Sequence, residues 1–113
     1  MDVASFEQRG GILHVQVEAE RLDAAAAPSF KTALERQLMG KPNRAILDVR
    51  KVAFLDSTGL GVLVAMLKMM DQPGVLAIAG AGPGVRRLLQ ITQLDRVFRL
   101  FDTPEQAQAA LGG

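Results

Sequence analysis

The residue types best suited to chemistry lie together in one short stretch, DSTGLG at positions 56–61. Ser57 and Thr58 supply hydroxyl groups, and a serine hydroxyl becomes a nucleophile when a base and an orienting group stand beside it. A nucleophile elbow also needs glycine two residues before the serine, where this chain has Leu55. The only histidine, His14, falls on the more polar side of a predicted strand, which is typical of a solvated surface residue. The pattern therefore argues against a serine hydrolase.

Two further groups of residues could bind a ligand. Asp23, Asp48 and Asp56 each fall at or near the carboxyl end of a predicted strand, where open α/β sheets bind ligands. They could hold Mg²⁺ weakly, but the capping of loops is the commoner use of such aspartates. The glycine-rich segment 80–84 has the context of a dinucleotide-binding turn, yet Val85 stands where the third glycine belongs. A turn with positive φ is therefore favoured over a nucleotide site.

The composition of the chain excludes several classes of protein. Its 113 residues include no cysteine, one histidine and five phenylalanines, with 13 Lys and Arg against 12 Asp and Glu. These counts exclude disulfide, zinc-ribbon, iron–sulfur and thiol-nucleophile chemistry, and a net charge of +1 gives no basic footprint for nucleic acid. The sequence shows no signal peptide and no apolar run of the ~20 residues that a membrane span needs, so we expect a cytoplasmic protein.

The elements that must position these residues follow from the apolar periodicity. Strands are predicted over residues 3–8, 12–19, 44–50, 75–79 and 97–101, with a hairpin turn at Gly10-Gly11. Helices are predicted to begin near Pro28, Asp56, Gly82 and Thr103. The resulting order, ββαβαβαβα, predicts one α/β domain over residues 1–113, with a mostly parallel sheet and an antiparallel N-terminal edge.

The helix that follows Asp56 has two unusual features. Gly59 and Gly61 lie in its first turns, where each costs roughly 1 kcal/mol relative to alanine, so close approach of another backbone or surface is expected. One apolar stripe, beginning at Leu60, can face the sheet, whereas Val62 and Met66 belong to a second stripe. The pattern alone leaves open whether a partner or a neighbouring helix covers that second stripe.

Residues 56–61 resemble the signature of the anti-sigma-factor antagonists, the single-domain STAS proteins of bacteria. The resemblance covers almost the whole chain and includes the following segments: Arg21-Leu22-Asp23 at a strand end, Ile46-Leu47-Asp48-Val49 with Val52 and Phe54, and Pro83, Val85, Arg87, Leu88 and Leu89 in the third helix. It implies the STAS fold, in which successive βα units cross a sheet with an antiparallel N-terminal edge strand.

The resemblance also implies a function, partner switching. In that family the unmodified antagonist binds an anti-sigma factor that is also a serine kinase, which frees the sigma factor. The kinase phosphorylates the first hydroxyl after the signature aspartate, the complex dissociates, and a serine phosphatase of the PP2C type resets the switch. For this chain the resemblance implies no enzymatic activity, cofactor or metal of its own. It assigns Ser57 as the phosphoacceptor, with Thr58 as a second candidate, and partner binding to the following residues: Asp23, Asp56, Thr58, Gly59, Leu60, Gly61, Val62 and Met66.

One position departs from the family pattern. Glu20 stands where many members have glycine, two residues before the Leu-Asp pair, and it adds a carboxylate near the docking face. Two alternative functions stay open. The first is a STAS scaffold that is never phosphorylated, such as the small cytoplasmic component of a lipid-transport complex. The second is a module that binds a small ligand or nucleotide through the glycines after residue 79.

Overall fold

The computed structural model describes residues 3–112. Along the chain the elements are β1 (Ala4–Arg9), β2 (Ile12–Val17), β3 (Arg21–Leu22), α1 (Ala27–Gln37), β4 (Arg44–Asp48), β5 (Phe54–Leu55), α2 (Ser57–Met69), β6 (Val75–Ala79), α3 (Pro83–Ile91), a short 3-10 helix (Leu94–Arg96), β7 (Arg99–Phe101) and α4 (Pro104–Gly112).

The main sheet has five strands in the order β1-β2-β4-β6-β7. β1 runs antiparallel to β2, and each of the other neighbouring pairs is parallel. Gly10 and Gly11 join β1 to β2 with φ values of 57° and 79°, a conformation that glycine adopts without steric cost. The predicted α/β class, the antiparallel edge and the hairpin are therefore confirmed.

Side chains alternate between the two faces of this sheet, so two separate cores form. Helices α1, α2 and α3 cover one face, where Phe30, Leu34, Leu63 and Leu89 pack with residues of the central strands. Helix α4 covers the other face over a smaller core: Ile12, Ile46, Ala77, Ala79, Ala107 and Leu111. His14 lies on this second face, half-buried, where its Nε2 is hydrogen-bonded to Oε1 of Gln108. The expectation of a solvated His14 was therefore wrong, because α4 covers part of its surroundings.

A second sheet, which the sequence pattern did not predict, consists of β3 paired in parallel with β5. Each strand has two residues, which is too short for an alternating pattern to register. The last strand is also shorter than predicted, because the N–H groups of Val97 and Phe98 bond back to the carbonyl of Leu94 at the end of a 3-10 helix, and β7 begins only at Arg99. The small β3–β5 sheet matters most, since the signature stretch begins directly after it.

Candidate functional site

The small sheet brings two of the predicted site residues to the same end of the molecule. In the parallel register Arg21 lies opposite Phe54 and Leu22 opposite Leu55, and the chain continues from the two strands into Asp23 and Asp56. The backbone N–H of Asp56 reaches the carbonyl of Leu22 at 3.4 Å. Because parallel strands end at the same edge, the two aspartates follow their strands side by side, and Ser57 comes next.

Asp56 is the N-cap of α2, as its position in the sequence predicted. Its backbone is extended, and its Oδ1 accepts hydrogen bonds from the N–H groups of Thr58 at 2.9 Å and Gly59 at 3.0 Å. These N–H groups have no partner within a helix, so the carboxylate satisfies them and also opposes the positive end of the helix dipole. The cap fixes where α2 begins and makes Ser57 its first residue.

Ser57 and Thr58 are both exposed at this helix start. Within residues 3–112, the hydroxyl of Ser57 has no hydrogen-bond partner, because Asp56 rather than Ser57 caps the helix. His14, the only imidazole in the chain, faces α4 on the opposite side of the main sheet and cannot serve as a base for Ser57. The geometry therefore presents a free hydroxyl without an activating group of its own.

Asp23 begins the turn into α1 and is held as a carboxylate. It accepts hydrogen bonds from the N–H groups of Ala25 and Ala26 at 3.1 and 3.2 Å, and from Nε of Arg21 at 3.3 Å. The bond from the Ala26 N–H, aided by Arg21, lowers the pKa of Asp23 below its ordinary value. Asp23 is half-buried, so its negative charge is fixed in place at the edge of the site.

Arg21 and Phe54 form a contact that sequence reasoning missed. The guanidinium carbon of Arg21 lies 4.4 Å from the centre of the Phe54 ring, within the range of a cation–π interaction. Both residues are exposed, and Phe54 retains 41% of its surface. The pairing of β3 with β5 brings them together, and two-residue strands leave no pattern that would signal that pairing.

The two glycines of α2 serve different purposes. A Cβ at Gly59 would stand 2.2 Å from the carbonyl oxygen of Leu22 and 2.7 Å from a methyl carbon of Leu55, so the close approach is made by this chain's own backbone. A Cβ at Gly61 would meet nothing within 4 Å, and Gly61 is exposed. The packing of the described chain therefore explains Gly59 and leaves Gly61 unexplained.

Four of the predicted partner-binding residues are buried within the chain. Met66 is 0% exposed, Val62 6% and Leu60 7%, and Gly59 is likewise buried. Met66 and Val62 belong to the main core, in which α1 packs against α2, so the second stripe is covered by a neighbouring helix. The prediction that Met66 contacts a partner was therefore wrong, and the reachable surface is smaller than expected.

The reachable part of the site combines charge and a shallow apolar groove. Ser57, Thr58 and Gly61 are exposed, while Asp23 and Asp56 are half-buried beside them. A groove of about 330 Å³ runs between the start of α1 and α2, with the following lining: Ala27, Pro28, Lys31, Thr58, Gly61, Val62 and Ala65. This arrangement offers a partner a flat apolar strip with a hydroxyl and two carboxylates at one end.

The remaining candidates from the sequence have structural explanations. Asp48 is 7% exposed and accepts hydrogen bonds from the Arg50 side chain at 2.7–3.1 Å, and this pairing raises the pKa of Arg50. Gly80 has a φ of 77°, as expected for a turn, and the Arg50 side chain lies against it. Within residues 3–112 no three metal-ligating side chains are grouped, and no helix is long and apolar enough to cross a membrane.

Comparisons with known proteins agree with this geometry. The family model of the STAS domain matches residues 4–107. The chain is 28% identical over 92 residues to the anti-sigma-F factor antagonist RsfB of Mycobacterium tuberculosis, covering 81% of this chain and 75% of that protein. It is 34% identical over 83 residues to the anti-sigma-B factor antagonist of Listeria monocytogenes, covering 73% of each. The crystal structure of an anti-sigma factor antagonist from Mycobacterium paratuberculosis superimposes with a TM-score of 0.86 at 28% identity, covering 95% of this chain and 91% of that one.

Proposed function

Because the chain belongs to the STAS domain family, we propose that it acts as an anti-anti-sigma factor, a single STAS domain over residues 1–113 that switches partners on phosphorylation. Its unmodified form binds an anti-sigma factor that is also a serine kinase, and so frees the sigma factor. Phosphorylation of Ser57 ends that binding, and a phosphatase of the PP2C type restores it. The relatives named as anti-sigma factor antagonists support this role.

The observation that carries the proposal is the free, exposed hydroxyl of Ser57 at the start of a helix whose cap is already filled. Thr58 and Gly59 give their N–H groups to Asp56 and need no hydroxyl from Ser57. Ser57 is the first residue of the helix and not its N-cap, so its hydroxyl has no capping role. Ser57 is instead left for a partner, beside a groove in which Gly61 allows close approach.

The chemistry itself belongs to the partner, since the site holds neither a base nor a phosphate-binding loop. The Ser57 Oγ would attack the γ-phosphorus of ATP bound to the kinase, and the new O–P bond would replace the bond to ADP. The proton of Ser57 passes to a base of the kinase. This chain contributes position: the cap at Asp56 holds the first turn of α2 still, and the hydroxyl projects from it.

The switch follows from the charges around Ser57. A phosphoserine carries about −1.5 to −2 charges at neutral pH. An anion at a helix start normally uses the free N–H groups, but here Asp56 occupies two of them, so the phosphate stands beside a carboxylate and has fewer donors. Asp23 adds a second fixed negative charge at the same edge. Burying the phosphate in the interface therefore costs repulsion and desolvation, and the complex dissociates.

The direct test incubates the chain with ATP and, one at a time, the purified anti-sigma serine kinases encoded in the same genome. We expect a mass increase of one phosphate, located on the peptide that contains Ser57. Ser57→Ala should abolish the increase, whereas Thr58→Ala, which removes the neighbouring exposed hydroxyl, should retain it.

The outcomes of this experiment separate the alternatives. Phosphate on Thr58 or elsewhere would contradict the assignment of Ser57. Stable binding to a partner with no phosphate transfer from any kinase would favour the scaffold subunit that is never phosphorylated.

A further inference from the structure

Two of the large apolar side chains that the fold leaves exposed lie in one groove. Phe54 of β5 is 41% exposed and Ile91 of α3 is 68% exposed. The groove between these two elements, here called the α3 groove, has a volume of about 280 Å³, and Leu55 and Leu88 also line it. Exposed apolar residues scattered singly are normal at a protein surface, whereas two that share a groove mark a candidate contact surface.

The α3 groove carries positive charge, whereas the charged residues beside Ser57 are carboxylates. Arg87 is the one charged side chain in its lining, and within residues 3–112 it forms no ion pair. Arg21 stands over the Phe54 ring at 4.4 Å, but its Nε is already paired with Asp23. The uncompensated charge is therefore that of Arg87, and a segment that fits the groove combines an apolar side chain with a carboxylate.

The α3 groove is within reach of any partner that covers Ser57. Phe54 precedes Ser57 by three residues, so their Cα atoms are at most about 11 Å apart. A standard interface covers about 800 Å² of each partner, which corresponds to a patch of roughly 16 Å radius. On α2 the accessible surface is small, because Leu60, Val62 and Met66 are at most 7% exposed. An interface of ordinary size centred on Ser57 therefore extends over Phe54.

We propose that the α3 groove is a second docking site for the kinase that phosphorylates Ser57, an inference that rests on the function proposed above. An apolar side chain of the kinase lies between Phe54 and Ile91, and a neighbouring carboxylate of the kinase pairs with Arg87. The kinase then meets carboxylates at one end of its contact and a cation at the other, and this polarity fixes its orientation on the chain.

The test measures phosphate transfer to the full chain, as a function of its concentration, by the kinase that phosphorylates Ser57. Ile91→Ala removes the exposed apolar side chain and Arg87→Ala removes the unpaired charge, while alanine preserves α3. Each should raise the KM for the chain by about tenfold and leave kcat unchanged, because the groove binds the chain without touching the reacting hydroxyl. Met39→Ala and Arg36→Ala replace an exposed apolar residue and an exposed cation near the C-terminal end of α1, and these controls should leave the KM unchanged.

Ionic strength tests the carboxylate that is proposed to pair with Arg87. Raising the salt concentration from about 0.05 M to about 0.5 M should increase the KM for the natural chain more steeply than the KM for Arg87→Ala, in which the pair is absent. Arg87→Glu should bind more weakly than Arg87→Ala, because two carboxylates then face each other. Equal salt dependence of the natural chain and Arg87→Ala would overturn the assignment of an acidic segment to the groove.

The failure of this inference can be distinguished from the failure of the proposed function. If the kinase phosphorylates Ser57 and neither Ile91→Ala nor Arg87→Ala changes the KM, the α3 groove is not its docking site, although Ser57 remains the phosphoacceptor. If the two variants slow only the removal of phosphate by the phosphatase, the phosphatase occupies the groove and the inference is also wrong. If no kinase transfers phosphate to the natural chain, the proposed function fails and this inference fails with it.

Discussion

The effect of a negative charge at Ser57 depends on the hydrogen bonds that Asp56 already accepts at the start of α2. Two of the N–H groups at the start of α2 are bound by the Asp56 carboxylate, and Asp23 holds a second negative charge beside it. Negative charge at position 57 therefore finds few free donors at the start of α2 and must be solvated or met by the partner. In an interface that buries this helix start, neither is available.

We predict that Ser57→Asp abolishes binding to the kinase partner while Ser57→Ala still binds. A penalty of about 3–4 kcal/mol corresponds to a loss of affinity of several hundredfold. Titration calorimetry with the purified kinase, identified by the phosphate-transfer experiment, measures both variants. Addition of ATP should dissociate the unmodified complex and leave the Ser57→Ala complex intact. Equal affinities for Ser57→Asp and the natural chain would remove Ser57 from the switch.

Asp23 gives a prediction that needs no partner. Its pKa is lowered from 3.8 in the folded chain, so the stability it contributes is present above that value and is lost as the pH falls through the lowered pKa. Asp23→Asn should therefore be less stable than the natural chain at pH 7, and the difference should shrink as the pH is lowered below about 4. Urea unfolding at several pH values measures this, with Glu35→Gln, an exposed carboxylate of α1, as the control. A constant difference at all pH values would contradict the role of the Asp23 hydrogen bonds.

Helix α2 carries two glycines that look equivalent in the sequence but have different surroundings in the structure. Gly59 allows α2 to lie against the Leu22 carbonyl, which holds the helix start to the small sheet. Gly61 faces open space and weakens the helix for no reason within the described chain. The fold does not require Gly61, which lies next to the groove beside Ser57. A substitution at Gly61 can therefore change the proposed docking surface without disrupting the fold.

Gly59→Ala and Gly61→Ala form a matched pair in that helix. Gly59→Ala should destabilise the chain by about 1–3 kcal/mol, because its Cβ collides with backbone that cannot move freely. Gly61→Ala should stabilise it by up to about 1 kcal/mol, since alanine is the better helix former and meets no neighbour. Chemical denaturation measures both free energies of unfolding. If Gly61→Ala also weakens binding of the kinase while raising stability, the role of Gly61 is in the interface.

Met66 lies on a face of α2 that could have bound a partner, but α1 covers that face in the folded chain. Because Met66 is fully buried, Met66→Glu should destabilise the fold by about 3–5 kcal/mol through an unpaired buried charge. Met66→Leu, of similar volume, should cost less than about 1.5 kcal/mol. Thermal and urea unfolding compare the two. A Met66→Glu chain of natural stability that fails only in partner binding would return Met66 to the surface.

The order of the long elements, the hairpin and the cap at Asp56 could all be predicted, because each rests on local chemistry: apolar period, paired glycines and an N-cap residue. The small sheet could not, since strands of two residues carry no period. The Arg21–Phe54 contact and the reason for Gly59 depend on that small sheet, so they could not be predicted either. The burial of Met66 was likewise out of reach, because a second apolar stripe on a helix is the same pattern whether a partner or α1 covers it.

Across the whole molecule, the exposed side chain of Ser57 lies outside both hydrophobic cores of the main sheet. Ser57 is exposed on the first residue of α2, whereas the main core is formed by the inner faces of α1, α2 and α3 against the sheet. The second core, under α4, lies on the opposite face. A phosphate would change a formal net charge of +1 to about −1, which is large for the surface yet touches no buried group. We therefore expect the fold to keep its conformation when Ser57 is phosphorylated.

We predict that Ser57→Asp leaves amide hydrogen exchange in β2, β4 and β6 unchanged and alters it only in the first turn of α2. The reason is that the Asp56 cap, which fixes that turn, does not involve the Ser57 side chain. Exchange monitored by NMR on Ser57→Asp and on the neutral Ser57→Ala control measures this residue by residue. Loss of protection across the central strands in Ser57→Asp alone would mean that the charge acts by loosening the fold. Protection that survives everywhere except the helix start would support a switch that acts at the proposed docking surface, because the start of α2 is then the only part of the chain that the charge changes.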